Sequence, residues 1–342
     1  MLYAWRKAPG STAESIEGKP YAARAAKAAI QAAAKRRGLK GVVEGETYPF
    51  RFRPRIVDDP SVEIIILTKN QAKYLKSAIA SVRKKAGYSN YSITVVDHEC
   101  DDKATIRYLD KEKASGGIKV VPYRGAYNFS RMNNLVAQKS SADILVFMNN
   151  DIVAVLDGWL NELVSWAQRP DIGPVGTLLI YPDGRVQHAG VVLGVGGIAN
   201  HAYWLEPEST TRYFNHIRLA RNYSAVTAAL MAVSRRKFLE LGGFNEKELA
   251  VAYQDIDLCL RMWERGYRTV YTPWAKAVHY ESLSRRRYPQ CNQSFRQEET
   301  YMIQRWKDVI EHDPFYNSNF IRGNMSAGQK TYRIGRYEDK VE

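Results

Sequence analysis

Cysteine is scarce in this chain: three residues in 342, at positions 100, 259 and 291. They are too few and too scattered for a disulfide framework or a four-ligand zinc site, so a reducing compartment is expected. Long apolar runs are missing too. The longest candidate, AGVVLGVGGIA at 189–199, is broken by glycine and falls short of the roughly 18 residues that a membrane span requires. The opening MLYAWRKAPG lacks the apolar stretch of a signal peptide. Neither G-x-x-x-x-G-K-[ST] nor a G-x-G-x-x-G after the first strand is present, which argues against a P-loop nucleotidase or a dinucleotide dehydrogenase. Internal repeats and low-complexity tracts are also absent. Hydrophobic residues at 45% and charged residues at 25% exclude collagen-like, mucin-like and largely disordered classes. A soluble, cytoplasmic protein with one large domain or two smaller ones is expected.

Acidic residues are in deficit, 36 against 50 lysines and arginines, for a net charge of +14. More than half of this excess, +8, lies in residues 1–55. A basic lobe suits an anionic partner such as a membrane surface, a phosphorylated substrate or nucleic acid. The plain alternative is a solvated helix face that keeps the protein soluble. No nucleic-acid motif accompanies the charge, so a nucleic-acid partner is not expected. Residues 20–39 read as one helix, with Pro20 in its first turn, alanine throughout, Lys and Arg near its end and Gly38 to stop it. The proline-punctuated YPFRFRPRIVDDP at 48–60 reads as a boundary. The expected division is a basic helical extension at 1–57, an α/β domain at 58–285 and a helical segment with a tail at 286–342.

Beyond the boundary, short β-branched runs at 61–68, 91–97, 118–122 and 143–148 alternate with helical patterns at 71–85, 103–115 and 130–140. Such alternation implies right-handed βαβ units and a mostly parallel sheet. The second half predicts a glycine-rich strand region at 173–199, a strand Val226–Val233, a helix near 255–266, a strand Thr269–Tyr271 and helical pieces at 294–312. Ligands of parallel sheets bind at the carboxyl ends of the strands, and acids gather there. Asp97 and Asp102 flank the loop after the second strand, placed to accept from a nucleobase or ribose, or to serve as turn and cap residues. Asn149, Asn150 and Asp151 close the fourth strand, with oxygen ligands suited to Mg²⁺ or Mn²⁺ on a diphosphate, or to a turn. Asp255 opens a helix as a general base or an N-cap, and His279 stands beyond a proline turn.

Taken in order, these segments resemble the family 2 glycosyltransferases of the GT-A fold, especially the bacterial O-antigen and rhamnosyltransferase-like subgroup. The resemblance rests on nine collinear blocks: VEIIILTKN (62–70), ITVVDHECDD (93–102), YNFSRMNN (127–134), ILVFMNND (144–151), QHAGVVLG (187–194), VTAALMAVSR (226–235), LGGFNE (241–246), YQDIDLCLRMWERGYR (253–268) and HYESLSR (279–285). It implies a Rossmann-like α/β fold with a mostly parallel central sheet flanked by helices, here with an N-terminal helical extension. The opening segment and alanine-rich helix resemble the linker before a second such domain in multi-domain members.

The same resemblance implies a division of labour. Thr68, Asn70, Asp97 and Asp102 would hold the nucleoside, with Asn134 near the ribose or diphosphate, and Asn150 and Thr227 would complete donor binding. Asp151 matches the last acid of a degenerate D-x-D metal motif in which Asn149 replaces the first acid, and His279 matches a late histidine of the metal shell. Asp255 matches the catalytic base, with Gln254 where glutamate often stands. Asp257 is expected as a cap or acceptor-side group, and Arg261 as structural or phosphate-facing. Ala228 stands where glycine is usual in the pocket-lining V-T-G stretch. Trp159, Tyr203 and Trp204 are candidates for sugar stacking or core. The activity implied is inverting, metal-dependent transfer, with Mn²⁺ or Mg²⁺, from a dTDP- or UDP-sugar to a saccharide or lipid-linked oligosaccharide during surface polysaccharide synthesis. The basic lobe would then rest on the inner face of the plasma membrane. The competing reading is a non-catalytic nucleotide-sugar or saccharide binding module, motivated by Asn149, Gln254 and Ala228.

Overall fold

The computed structural model describes residues 20–280, 291–322 and 331–332. The chain divides into two compact units, 1–55 and 56–342. In the first unit α1 (Pro20–Arg36) runs through the alanine-rich stretch and ends on Lys35 and Arg36, which complement the partial negative charge of a helix C-terminus. Gly38 then takes φ +67°, a conformation without penalty only for glycine. The connector is more ordered than its prolines imply. β1 (Gly41–Glu44) pairs antiparallel with β2 (Arg51–Pro54), and the Gln31 amide oxygen accepts from Val43 N–H at 3.2 Å.

In the second unit the expected alternation is realised as β3 (Val62–Thr68), α2 (Ala72–Lys85), β4 (Tyr91–His98), α3 (Lys103–Ala114), β5 (Lys119–Tyr123), α4 (Phe129–Lys139) and β6 (Ile144–Asn149). β7 (Ile152–Ala154) and α5 (Trp159–Ala167) follow, then β8 (Ile172–Ile180), β9 (Val186–His188), β10 (Val191–Leu193), β11 (Ala199–His201), β12 (Arg221–Asn222), β13 (Leu230–Ser234) and β14 (Arg268–His279). The main sheet has the order β12-β14-β8-β13-β6-β3-β4-β5, with β7 on β14 and β9 on β8. β5, β4, β3 and β6 are mutually parallel. β13 enters antiparallel between β6 and β8, and β14 is parallel to β8.

The alternation of β3 explains the layering. Ile64 and Ile66 face one core with Leu75, Ile79, Trp159 and Leu160, while Ile65 faces the other with Met132, Val136 and Phe147. Each such fully buried aliphatic side chain stabilises the fold by about 1.5–3 kcal/mol before entropy is counted. Trp159 and Tyr203 have no exposed surface, so of the aromatic candidates these two are core and cannot stack on a sugar. Lys237 is also buried. Its Nζ donates to Arg169 O at 2.6 Å and Ile172 O at 2.5 Å, and burial pushes its pKa down to about 8.

Two expectations are corrected in the second half. Only Leu230–Ser234 of the run from 226 is strand, because Val226–Ala229 leave the ladder to reach the site. The strand expected at Thr269–Tyr271 continues to His279, through a register shift between Thr272 and Lys276 that accommodates Pro273. The segment set apart from 286 onward is, where described, part of the same unit. Its helix Cys291–Glu311 places Trp306 in the core, and the Glu298 carboxylate accepts from Val251 and Ala252 N–H at 2.9 and 2.7 Å. Asp313, just beyond this helix, accepts from Leu193 N–H at 2.7 Å and from the Ser224 hydroxyl at 2.6 Å.

Candidate active site

Parallel register aligns the carboxyl ends of three strands. Thr68 lies beside Asp97, and Leu67 beside Asn149. The loops beyond them are tied together by Asn70, which takes φ +62°. Its side-chain oxygen accepts from Asp101 and Asp102 N–H at 2.9 and 3.1 Å, and its amide donates to Asp101 Oδ1 at 2.6 Å. The Asn150 amide donates to Thr68 Oγ1 at 3.0 Å, and that hydroxyl donates to Asn70 O at the same distance. Thr68, Asn70, Asp97 and Asn150 are thus brought into one cluster at the strand ends.

Within it Asp97 Oδ1 accepts from Cys100 N–H at 2.9 Å. Burial, then the bond to Asp97, pushes the Cys100 thiol up to about 12, so this cysteine stays a neutral thiol at neutral pH.

Two expected donor ligands already have partners inside the fold, although Asp102 Oδ2 has none among the described residues. Asp102 is the N-cap of α3 and accepts from Thr105 N–H at 2.8 Å. Its hydrogen bonds with Thr105 hold its carboxyl below the usual range. Asn134, only 2% exposed, accepts from Phe244 N–H at 3.0 Å and donates to Phe244 O and Glu246 Oε1 at 2.9 and 2.8 Å. It fastens α4 to the LGGFNE loop, in which Gly243 (φ +75°) approaches so closely that an added Cβ would lie 2.5 Å from Asn134 Oδ1.

The end of β6 and the end of β14 converge. His279 stands opposite Ile152 across the β14–β7 ladder, and Tyr280 N–H donates to Asp151 O at 3.1 Å. This sets His279 Nε2 at 3.2 Å from Asp151 Oδ1 and at 3.4 Å from Asn149 Nδ2. On its other side His279 Nδ1 meets Gln187 Oε1 at 2.6 Å. A buried pair continues alongside, with His188 Nδ1 at 2.9 Å from His201 Nδ1. Burial, with His201 and His279 nearby, holds His188 well below the usual histidine range.

A divalent cation fits the Asp151–His279 pair by donor chemistry. One carboxylate oxygen and one imidazole nitrogen face each other on a strand end, and a cation between them would satisfy both lone pairs. Among the described residues no group of three histidine, cysteine, aspartate or glutamate side chains is placed to hold a metal, so further ligands would have to come from a bound diphosphate or water.

The helix Gln254–Glu264 separates its two aspartates by role. Asp255 is partly exposed, and its Oδ2 accepts from Ala228 N–H at 2.9 Å. The neighbouring residue reaches the other half of the site, since Asn149 N–H donates to Ala229 O at 2.9 Å. Asp255 and the end of β6 are therefore tied through consecutive residues. Thr227, adjacent and partly exposed, uses its hydroxyl to accept from Ala229 N–H at 3.3 Å. The Ala228 methyl points into the core rather than into open space, as the residue is 2% exposed.

Asp257 is completely buried. It pairs with Arg261 Nε at 2.7 Å and accepts from Trp306 Nε1 at 3.0 Å, so it is no acceptor-side group. Arg261 also donates to Leu241 O and Gly243 O, both at 2.8 Å, which makes it structural rather than phosphate-facing.

A family model described as "Glycosyltransferase like family 2" matches residues 60–300, well over half of the chain. The chain belongs to glycosyltransferase family 2. Its fold is GT-A: it superposes with TM-score 0.51 on a mannosyltransferase from Pyrobaculum calidifontis solved with GDP-Man and Mn²⁺, at 16% identity over 72% of this chain and 64% of that one. With GalNAc-T7, solved with UDP, GalNAc and Mn²⁺, the TM-score is 0.54 at 13% identity, over 82% of this chain and 62% of that one.

Among relatives, an uncharacterized protein y4gI of Sinorhizobium fredii is 39% identical over 93% of this chain, and the O-antigen biosynthesis protein RfbC of Myxococcus xanthus 33% identical over 83%. The matched regions are only 36% and 22% of those proteins' own lengths. An N-acetylglucosaminyl-diphospho-decaprenol L-rhamnosyltransferase of Mycobacterium tuberculosis is 28% identical over 47% of this chain and 55% of that protein. No helix among the described residues is long and apolar enough to cross a membrane.

Gln187 was missed as an individual residue by sequence reasoning, although its block, QHAGVVLG, was visible. Glutamine carries no charge to draw attention, and its role depends on a histidine 92 residues away.

Proposed function

We propose that this domain transfers a sugar from a nucleoside-diphosphate donor to a saccharide acceptor with inversion, using a divalent cation, in bacterial surface polysaccharide synthesis. The observation that supports it is the tie through Ala228 and Ala229, which couples a partly exposed carboxylate, Asp255, to the strand end that carries Asp151 and His279. The cluster of Thr68, Asn70, Asp97 and Asn150 would take the nucleoside. The name of the mycobacterial relative favours an L-rhamnosyl donor and an acceptor sugar on a polyprenyl diphosphate. The base would be a pyrimidine, as in dTDP or UDP, and the basic first unit would rest on an anionic membrane face at the cytoplasmic side.

In this reaction the acceptor oxygen bonds to the anomeric carbon as the bond from that carbon to the diphosphate oxygen breaks. The hydroxyl proton passes to Asp255, whose bond from Ala228 N–H fixes the carboxylate's direction. No second acid is needed, since a diphosphate is already a good leaving group. Asp151 and His279 would hold Mn²⁺ or Mg²⁺, which when bound neutralises charge developing on the diphosphate. Incubation with dTDP- and UDP-sugars and a polyprenyl-diphosphate acceptor, with NMR of the product's anomeric centre, tests the reading. Turnover with inversion, lost in Asp255→Asn while donor binding persists, is the expected result. Donor binding without turnover on any acceptor would instead establish the binding-module reading favoured by Asn149 and Gln254.

A further inference from the structure

We infer that Gln187 is a positioning residue that fixes the tautomer of His279 and so readies the Asp151–His279 pair for a divalent cation; this rests on the metal reading above. A neutral imidazole carries one ring proton and one lone pair, and which nitrogen bears which is set by its neighbours. Gln187 Oε1 can only accept, so at 2.6 Å it places the proton on Nδ1. Nε2 is left with its lone pair. The contacts there agree, because Asn149 Nδ2 at 3.4 Å is a donor.

The remaining neighbour does not match. Asp151 Oδ1 at 3.2 Å is an acceptor facing an acceptor, a gap bridged by a proton or a cation. With the ring proton held on Nδ1 by Gln187, the Nε2 lone pair and the Asp151 oxygen face each other across a gap that a divalent cation would fill.

The position is rigid as well as chemically suited. Gln187 sits on β9, paired to β8, and is 3% exposed, so its amide is held at the Nδ1 edge of the imidazole that β14 carries.

The test is Mn²⁺ binding, read from loss of the free-ion EPR signal, with the full chain and saturating UDP or dTDP. Gln187→Leu is expected to weaken Mn²⁺ by about 10- to 100-fold, the usual cost of losing an outer-shell partner, with nucleotide affinity in EDTA unchanged. If Gln187 acts through His279, the loss disappears in a His279→Ala background, so the double variant binds Mn²⁺ like His279→Ala alone. Gln187→Glu keeps the acceptor and the volume and should stay within several-fold of the wild type. Equal affinity of Gln187→Leu and wild type, additive losses in the double variant, or a Glu variant as weak as Leu would each overturn the inference. Failure of the wild type to bind Mn²⁺ with either nucleotide would overturn the metal reading itself, a distinguishable outcome.

Discussion

Asp255 and Asp257 stand two residues apart on one helix, yet their loss should be felt in opposite ways. Asp257 is completely buried and compensates Arg261, whose other hydrogen-bond partners among the described residues are the carbonyls of Leu241 and Gly243. Asp257→Ala leaves that guanidinium without its counter-charge and Trp306 Nε1 without its acceptor. Breaking one side of a buried ion pair costs about 3–5 kcal/mol, which for a domain of this size lowers Tm by roughly 5–8 °C. Asp255→Asn removes a partly exposed carboxylate but keeps an oxygen to accept from Ala228 N–H, so Tm should stay within about 2 °C of wild type, as for most partly exposed substitutions. Its cost appears in turnover, a fall in kcat of about 10²–10⁴-fold as for a lost general base. Differential scanning fluorimetry and steady-state kinetics on both variants decide the matter. Asp257→Ala melting with the wild type, or Asp255→Asn retaining full turnover, would refute this division of roles.

Asp151→Ala should abolish any divalent-ion-dependent thermal shift with dTDP or UDP; at a hundred times its Kd, bound nucleotide adds about 2.7 kcal/mol, so the loss is readable by fluorimetry. Gly190→Ala would bring a Cβ to 2.3 Å from the Tyr223 ring at a φ of +103°, and should destabilise by several kcal/mol in urea denaturation. Burial holds the Lys237 pKa at about 8 against an ordinary 10.5, so between these values the unfolded chain binds more protons. Its contribution to stability therefore rises with pH across that window, and the stability difference between wild type and Lys237→Met, measured from pH 7 to 10, should shift toward the wild type. Cys100, with its thiol near 12, should react with a thiol reagent at pH 8 far more slowly in folded than in unfolded protein.

The first half of the fold was legible because buried parallel strands are short β-branched runs, and the first three were each followed by a helix of clear period. The acids at the strand ends were legible for the same reason, since the topology delivers Asp97 and Asp151 to one edge. What failed were roles set by distant partners. Asn134 seemed free for a ligand until Gly243 and Glu246 came against it, and Asp257 is set apart from Asp255 by Trp306, 49 residues on, as well as by Arg261. β14 was underestimated because Pro273 breaks its pattern, although a register shift carries the strand past it. α5 escaped notice because it has only 9 residues, shorter than the window over which a helical period is read.

The length of β14 has a consequence for how this site can be controlled. Its opening residues pair with β12 and β8, and its last with β8 and β7. His279 is the final residue of a strand stitched on both sides, with Tyr280 N–H bonded to Asp151 O just after it. Local opening that withdrew His279 would have to break the β14–β7 pairing and the bond from Tyr280 N–H to Asp151 O, so the Tyr280 amide should be protected from exchange with solvent. Among the described residues, control of this site by ordering and releasing a loop would act on the Thr68–Asn70 and Asp97–Asp102 loops, because His279 is held by the sheet.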